Sequence, residues 1–73
     1  MGFFVNQTGN GRVVIGGVRL LADFSPELIS VRVHGGVINV TGRDMKIATL
    51  AENEIDIIGV IANVETNASN RRS

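Results

Sequence analysis

The residue types that could do chemistry cluster in one stretch of this 73-residue chain, "VRVHGGVINVTGRDMKI", Val31 to Ile47. Gly35, Gly36 and Gly42 stand there with Arg43 directly after the last, a composition that invites a phosphate-cradling loop. Such a loop needs its glycines between a strand and a helix N-terminus, because the helix end supplies the N–H groups that hold the phosphate. Here Gly35-Gly36 lies between two alternating runs and Gly42 between two further strand-like runs. These glycines are expected to turn the chain and to grip no ligand.

The remaining candidates are sparse. His34 is the only histidine and has no second histidine or serine-plus-acid set beside it, whereas metal and triad sites need several convergent groups. It reads as a lone surface side chain. Glu54 and Asp56 point to one side of a strand, with Glu52 close by. Paired carboxylates can bind calcium or exchange protons, but they equally form a solvated face or guard a strand edge, and that reading is kept. Arg19, Arg32, Arg43 and Lys46 occupy polar positions of predicted strands or turns. They are candidate partner-binding residues, since arginine is enriched at interfaces; the plainer role is cross-strand pairing with acids. No catalytic residue, metal ligand or cofactor emerges.

Composition narrows the field further. The seven Lys and Arg balance the seven Asp and Glu, so no global field draws in nucleic acid or an anionic surface. With no Trp or Tyr and only Phe3, Phe4 and Phe24, a base-stacking platform is hard to build. No cysteine is present, which removes disulfides, zinc-thiolate sites and thiol nucleophiles. No apolar run approaches the ~18 residues of a membrane span, and the N-terminus lacks a signal-peptide pattern, so a soluble cytosolic chain without membrane insertion is expected.

The elements that must position these residues are short. Val, Ile and Thr recur in runs separated by Gly and Asn, the pattern of strands joined by tight turns. Asn10-Gly11 predicts a hairpin, "RVVI" and "VRLL" two strands about a turn or bulge at Gly16-Gly17, and Ser25-Pro26-Glu27 the cap of a single helical turn. From Leu28, the apolar Ile29, Val31 and Val33 alternate with Ser30, Arg32 and His34, a half-buried strand. A hairpin through Gly35-Gly36 leads to Ile38 and Val40, and Gly42-Arg43-Asp44 is read as the next turn, before Met45 and Ile47. In the last run Ile55 and Ile57 share a face, and Gly59 marks a bulge that changes which side is buried. Gly17, Gly36, Gly42 and Gly59 are thus the expected structural turns. The predicted fold is all-β, a small antiparallel β-sandwich. Residues 1–11 are read as an N-terminal extended segment, 12–65 as the single domain and 66–73 as a disordered polar tail.

Over Val13 to about Glu65 the order of these features resembles the YabP/YqfC family of small sporulation proteins. The resemblance is carried by Gly17-Val18, Phe24 and Ile29, then Gly36, Ile38, Val40 and Gly42 as G-x-I-x-V-x-G. Met45-Lys46-Ile47 with Leu50 follows, and Ile55, Ile57, Gly59 and Ile61 as I-x-I-x-G-x-I complete it. It implies a β-sandwich of immunoglobulin-like class acting without catalysis in spore envelope assembly, coat or cortex. By the same resemblance the chain works on the mother-cell side of the developing spore through protein partners, one of them a membrane-bound sporulation protein. A rival function is a small-ligand or glycan-binding β-sandwich module. The small core and absent disulfides add one expectation from the residues themselves, a homodimer formed through an exposed strand edge or an apolar patch near Phe3-Phe4.

Overall fold

A computed structural model describes residues 2–68. The chain forms six strands, β1 (Phe4–Thr8), β2 (Arg12–Gly16), β3 (Val18–Phe24), β4 (Leu28–Val33), β5 (Gly36–Leu50) and β6 (Glu54–Ala68). They make one antiparallel sheet in the order β1-β2-β6-β5-β4-β3. Every inward position favours a side chain that fits a pleated surface. Val13, Ile15, Ile29, Val31, Val33, Ile38, Val40, Ile55, Ile57 and Ile61 are buried and all β-branched, the type that packs best there. Met45 is the buried exception, an unbranched and adaptable side chain placed where β5 bends.

The covalent link between β2 and β3 forces the sheet to roll. In the sheet order β6, β5 and β4 lie between these two strands, yet Gly17 alone connects them. A flat sheet would hold β2 and β3 roughly 19 Å apart, four spacings of about 4.8 Å. Two peptide steps reach only about 7 Å. The sheet must therefore curl until its two flanks meet at Gly17, and the inward residues of both halves form one core cluster. Gly17 is suited to the corner, with φ of 79° and with Phe3 Cα 2.8 Å from where a Cβ would stand. Its carbonyl accepts from the His34 amide at 3.3 Å, and the next amide, of Val18, donates to Asn53 O at 3.0 Å.

Rolling requires the two long strands to bend, and both bend by the same device. One side of β5 pairs with β4 as far as Thr41; then the Gly42 and Met45 amides donate to the carbonyls of Glu27 (3.1 Å) and Pro26 (3.0 Å). One side of β6 pairs with β2 as far as Ile58; then the Gly59 and Ile61 amides donate to Gly11 (3.2 Å) and Asn10 (2.8 Å). In each case the loop of a neighbouring hairpin takes up amides that the ladder has released. Register shifts in the β5–β6 ladder fall here, between Thr41 and Gly42, between Arg43 and Lys46 and between Ile47 and Thr49. Asp44 adopts φ of 52°, and the buried positions pass from Ile38 and Val40 to Met45 across it.

Several expectations are corrected by this arrangement. Gly42-Arg43-Asp44 is no turn between strands, because β5 runs unbroken from Gly36 to Leu50. Gly42 is instead a close-approach glycine: a Cβ there would strike the Val60 carbonyl oxygen and lie 3.2 Å from the Ala62 nitrogen. Gly36 opens β5, and the left-handed residue of that hairpin is Gly35, with φ of 92°. Ser25 caps no helical turn; its amide donates to Leu28 O and its Oγ accepts from the Leu28 amide at 3.0 Å, closing a β3–β4 hairpin around Pro26-Glu27. The hairpin before β2 spans Gly9 to Gly11 with the positive φ, 60°, at Gly9, so Phe4–Thr8 is a paired strand rather than a separate segment. Thr66 and Asn67 belong to β6, paired with Ile38 and Val37, so the expected tail begins too early; positions 69–73 lie outside the described residues.

The bend predicts a contrast between two glycines. Gly35 has open space around the position of a Cβ, so Gly35→Ala should cost only left-handed strain, ~1–2 kcal/mol. At Gly59, with φ of 142°, a Cβ would lie 2.6 Å from Met45 Cα and 2.7 Å from Asp44 O. Gly59→Ala should lose a further ~1–3 kcal/mol by urea denaturation, because two backbones must separate. Equal losses in the two variants would contradict the close backbone approach at Gly59.

Candidate functional site

The rolled sheet gathers two of the four candidate cations and separates them from the others. Within β3 the register passes from Val18, opposite Val33, to Leu20, opposite Arg32, leaving Arg19 as the extra residue of a bulge. A bulge re-aims its side chain. Arg19 and Leu20 are consecutive yet both exposed, and with Arg32 and His34 they border an open pocket of about 550 Å³ beside the Gly35-Gly36 turn. Val33 and Val37 supply apolar lining. Arg43 and Lys46 lie on either side of the β5 bend, opposite Val60 and Ile58, and do not border this pocket.

Inside the pocket Arg19 Nη1 stands 3.4 Å from His34 Nδ1. A guanidinium has only donors, so in this contact Arg19 donates and His34 Nδ1 accepts. A smaller depression of about 310 Å³ adjoins, bordered by Gly2, Gly17, Val18, Asn53 and again Arg19 and His34. His34 was isolated in the sequence; the β3 bulge brings a partner to it. The alternation Ser30, Arg32, His34 did reveal that Arg32 and His34 share a face, and Ser30 Oγ donates on that face to Asn39 Oδ1 at 2.8 Å.

The acidic candidates have a different fate. Glu54 is exposed opposite Gly16, while Asp56 is taken up by Arg12, whose Nε and Nη2 donate to its two carboxylate oxygens at 3.0 and 2.6 Å. The Asp56 side chain keeps 14% exposure against 55% for Arg12. Nothing local in the sequence announces this pair, because it depends on β2 lying against β6. Among the described residues no group of three or more His, Cys, Asp or Glu is placed to hold a metal ion, and no helix is long and apolar enough to cross a membrane.

Apolar surface is the other conspicuous feature. Phe3, Phe4, Leu20, Phe24, Leu50 and Val60 are exposed large side chains. Phe4 lies on β1 with its ring over Gly16, where a Cβ would collide with it. β1 ends the sheet on one side, carries no charged residue and pairs with β2 without a register break. β3 ends it on the other side, with two register shifts and with Arg19 and Asp23 along it. Bulges and charges are the usual means by which an edge strand resists addition of another strand; β3 has both and β1 has neither.

An all-β domain of six antiparallel strands is the class that the fold defines. The family model described as the YabP family matches residues 5–73, and the chain belongs to that family. Membership supports a sporulation-related role. Comparison with curated proteins and with solved structures gives no match.

The Arg12–Asp56 pair predicts a pH dependence. The two hydrogen bonds from Arg12, reinforced by its charge against a partly opposing desolvation, hold the Asp56 carboxyl below its ordinary value. A depressed carboxyl contributes stability above its unfolded-state value and loses it as pH falls through the lowered one. Arg12→Gln should therefore be less stable than the parent at neutral pH, and the two should converge in acid beyond the range where an unpaired aspartate titrates. A gap that persists unchanged into strong acid would remove the pair as its cause.

Proposed function

We propose that this protein is a non-enzymatic structural component of endospore formation, acting in assembly of the spore envelope on the mother-cell side through protein contacts. The observation that carries the reading is membership of the YabP family over residues 5–73. The surface agrees with it: exposed apolar side chains and clustered arginines suit contact with proteins, and the balanced charge offers no pull on nucleic acid. A glycan-binding module would favour an aromatic platform, and none of the three phenylalanines borders the larger pocket. The rolled sheet is best read as a small β-sandwich, a reading supported by the single core enclosed between its halves. Deleting the gene in its endospore-forming host should leave sporulation initiated but yield spores with a defective envelope, scored by electron microscopy and lysozyme resistance. Normal, resistant spores would sink the role.

Self-association belongs to the same proposal. β1 is the unguarded edge, and two copies pairing β1 to β1 about a two-fold axis would satisfy its outward N–H and C=O groups while covering Phe3 and Phe4. The double variant Asn6→Lys, Thr8→Lys sets like charges against each other across that axis. Sedimentation should find a dimer in the parent and a monomer in the variant; a parent that stays monomeric up to millimolar concentration rejects the edge-paired dimer.

A further inference from the structure

We propose that the pocket formed by the β3 bulge, the end of β4 and the Gly35-Gly36 turn receives a carboxylate carried on an acidic segment of a protein partner. Arg19 and Arg32 hold the anion and His34 positions Arg19. The inference rests on the reading that the protein acts through protein contacts, and it names the chemistry of one such contact.

Four observations lead there. First, Arg19 and Arg32 border one pocket, and among the described residues neither makes an ion pair, the single such pair being Arg12 with Asp56. Asp23, the acid on β3, is engaged locally, accepting from the Phe24 amide at 2.9 Å. Two guanidiniums at one concavity without a carboxylate are complementary to an anion, and their planar forks match a carboxylate best. Second, the geometry is directed. The bulge places Arg19 beside Leu20 on the outward side, and His34 Nδ1 accepts from it, which limits where its remaining N–H groups point. Third, the lining is mixed: Leu20, Val33 and Val37 give apolar walls that suit the aliphatic stem of a glutamate and its neighbours, and about 550 Å³ accommodates a short segment. Fourth, the two register shifts in β3 make its edge a poor template for strand addition, so an incoming segment is held by its side chains. A polyphosphate or anionic lipid surface is disfavoured because the chain has no net positive charge to concentrate one.

The test is an NMR titration of the isotope-labelled full chain with a capped pentapeptide of alternating Val and Glu, beside its Val and Gln counterpart and sodium acetate at equal carboxylate concentration. The acidic peptide should shift amides confined to Arg19, Leu20 and the Arg32 to Val37 stretch. Arg19→Gln and Arg32→Gln should each weaken binding roughly tenfold or more, as expected for loss of a charge-assisted contact, while Arg43→Gln leaves it unchanged. His34→Ala should weaken binding and His34→Gln, which keeps an acceptor, should retain most of it. Undisturbed spectra outside the pocket verify that each variant is folded. The proposal is overturned if the Gln peptide binds equally, if acetate binds as tightly as the peptide, or if the same amides shift on dilution without peptide, which would assign the pocket to a second copy. The spore phenotype is scored separately. A silent pocket with defective spores removes this inference alone; a competent pocket with normal spores removes the assembly role alone.

Discussion

Everything in this fold depends on two long strands being able to bend at the same place. β5 and β6 run side by side; around Gly42 and Gly59 their backbones approach too closely for any side chain, and there each strand parts from its other neighbour. Amides released from a ladder in a protein interior are costly unless they find acceptors. The hairpin loops at Asn10-Gly11 and Pro26-Glu27 supply them, two carbonyls each. The bend is therefore fixed from both sides, and the β1–β2 and β3–β4 hairpins do equivalent work on β6 and β5. Without the bend the one-residue link at Gly17 could not be made.

Much of this architecture was legible in the residues. The alternations Ile29-Val31-Val33, Ile38-Val40 and Ile55-Ile57 report a period of two, and all seven residues are buried. What could not be read was continuity. Gly42-Arg43-Asp44 has the composition of a turn, and only the carbonyls of Pro26 and Glu27, remote in sequence, convert it into a bend within a strand. Ser25-Pro26 likewise has the signature of a helix cap, but a strand partner on each side gives Ser25 a hairpin to close. In both places local chemistry was ambiguous and long-range pairing decided.

The site shows the same division. Arg32 and His34 were placed on one face by alternation, whereas Arg19 joins them through a one-residue bulge that no spacing rule reveals. Conversely, Glu52, Glu54 and Asp56 read as a solvated face or an edge guard, yet Asp56 is claimed by Arg12. Charged residues in a small rolled sheet are sorted by register, and register between β2 and β6 is absent from either strand taken alone.

The Gly17 corner also imposes an order on how the chain can be built. Residues Val13 and Ile15, fully buried, have as their ladder partners Ile57 and Ile55, so their pairing joins positions remote in sequence, as does the Arg12–Asp56 side-chain pair, whose members are 44 positions apart. The β3–β4–β5 meander, by contrast, is made of neighbours, and loop closure favours such contacts early. During synthesis β2 leaves the ribosome long before β6 exists, and its apolar face has to wait for the last strand. The first hairpin to be made is the last to be enclosed, so the interval before β6 can pair is the moment at which this chain is most exposed to aggregation or to capture by a chaperone.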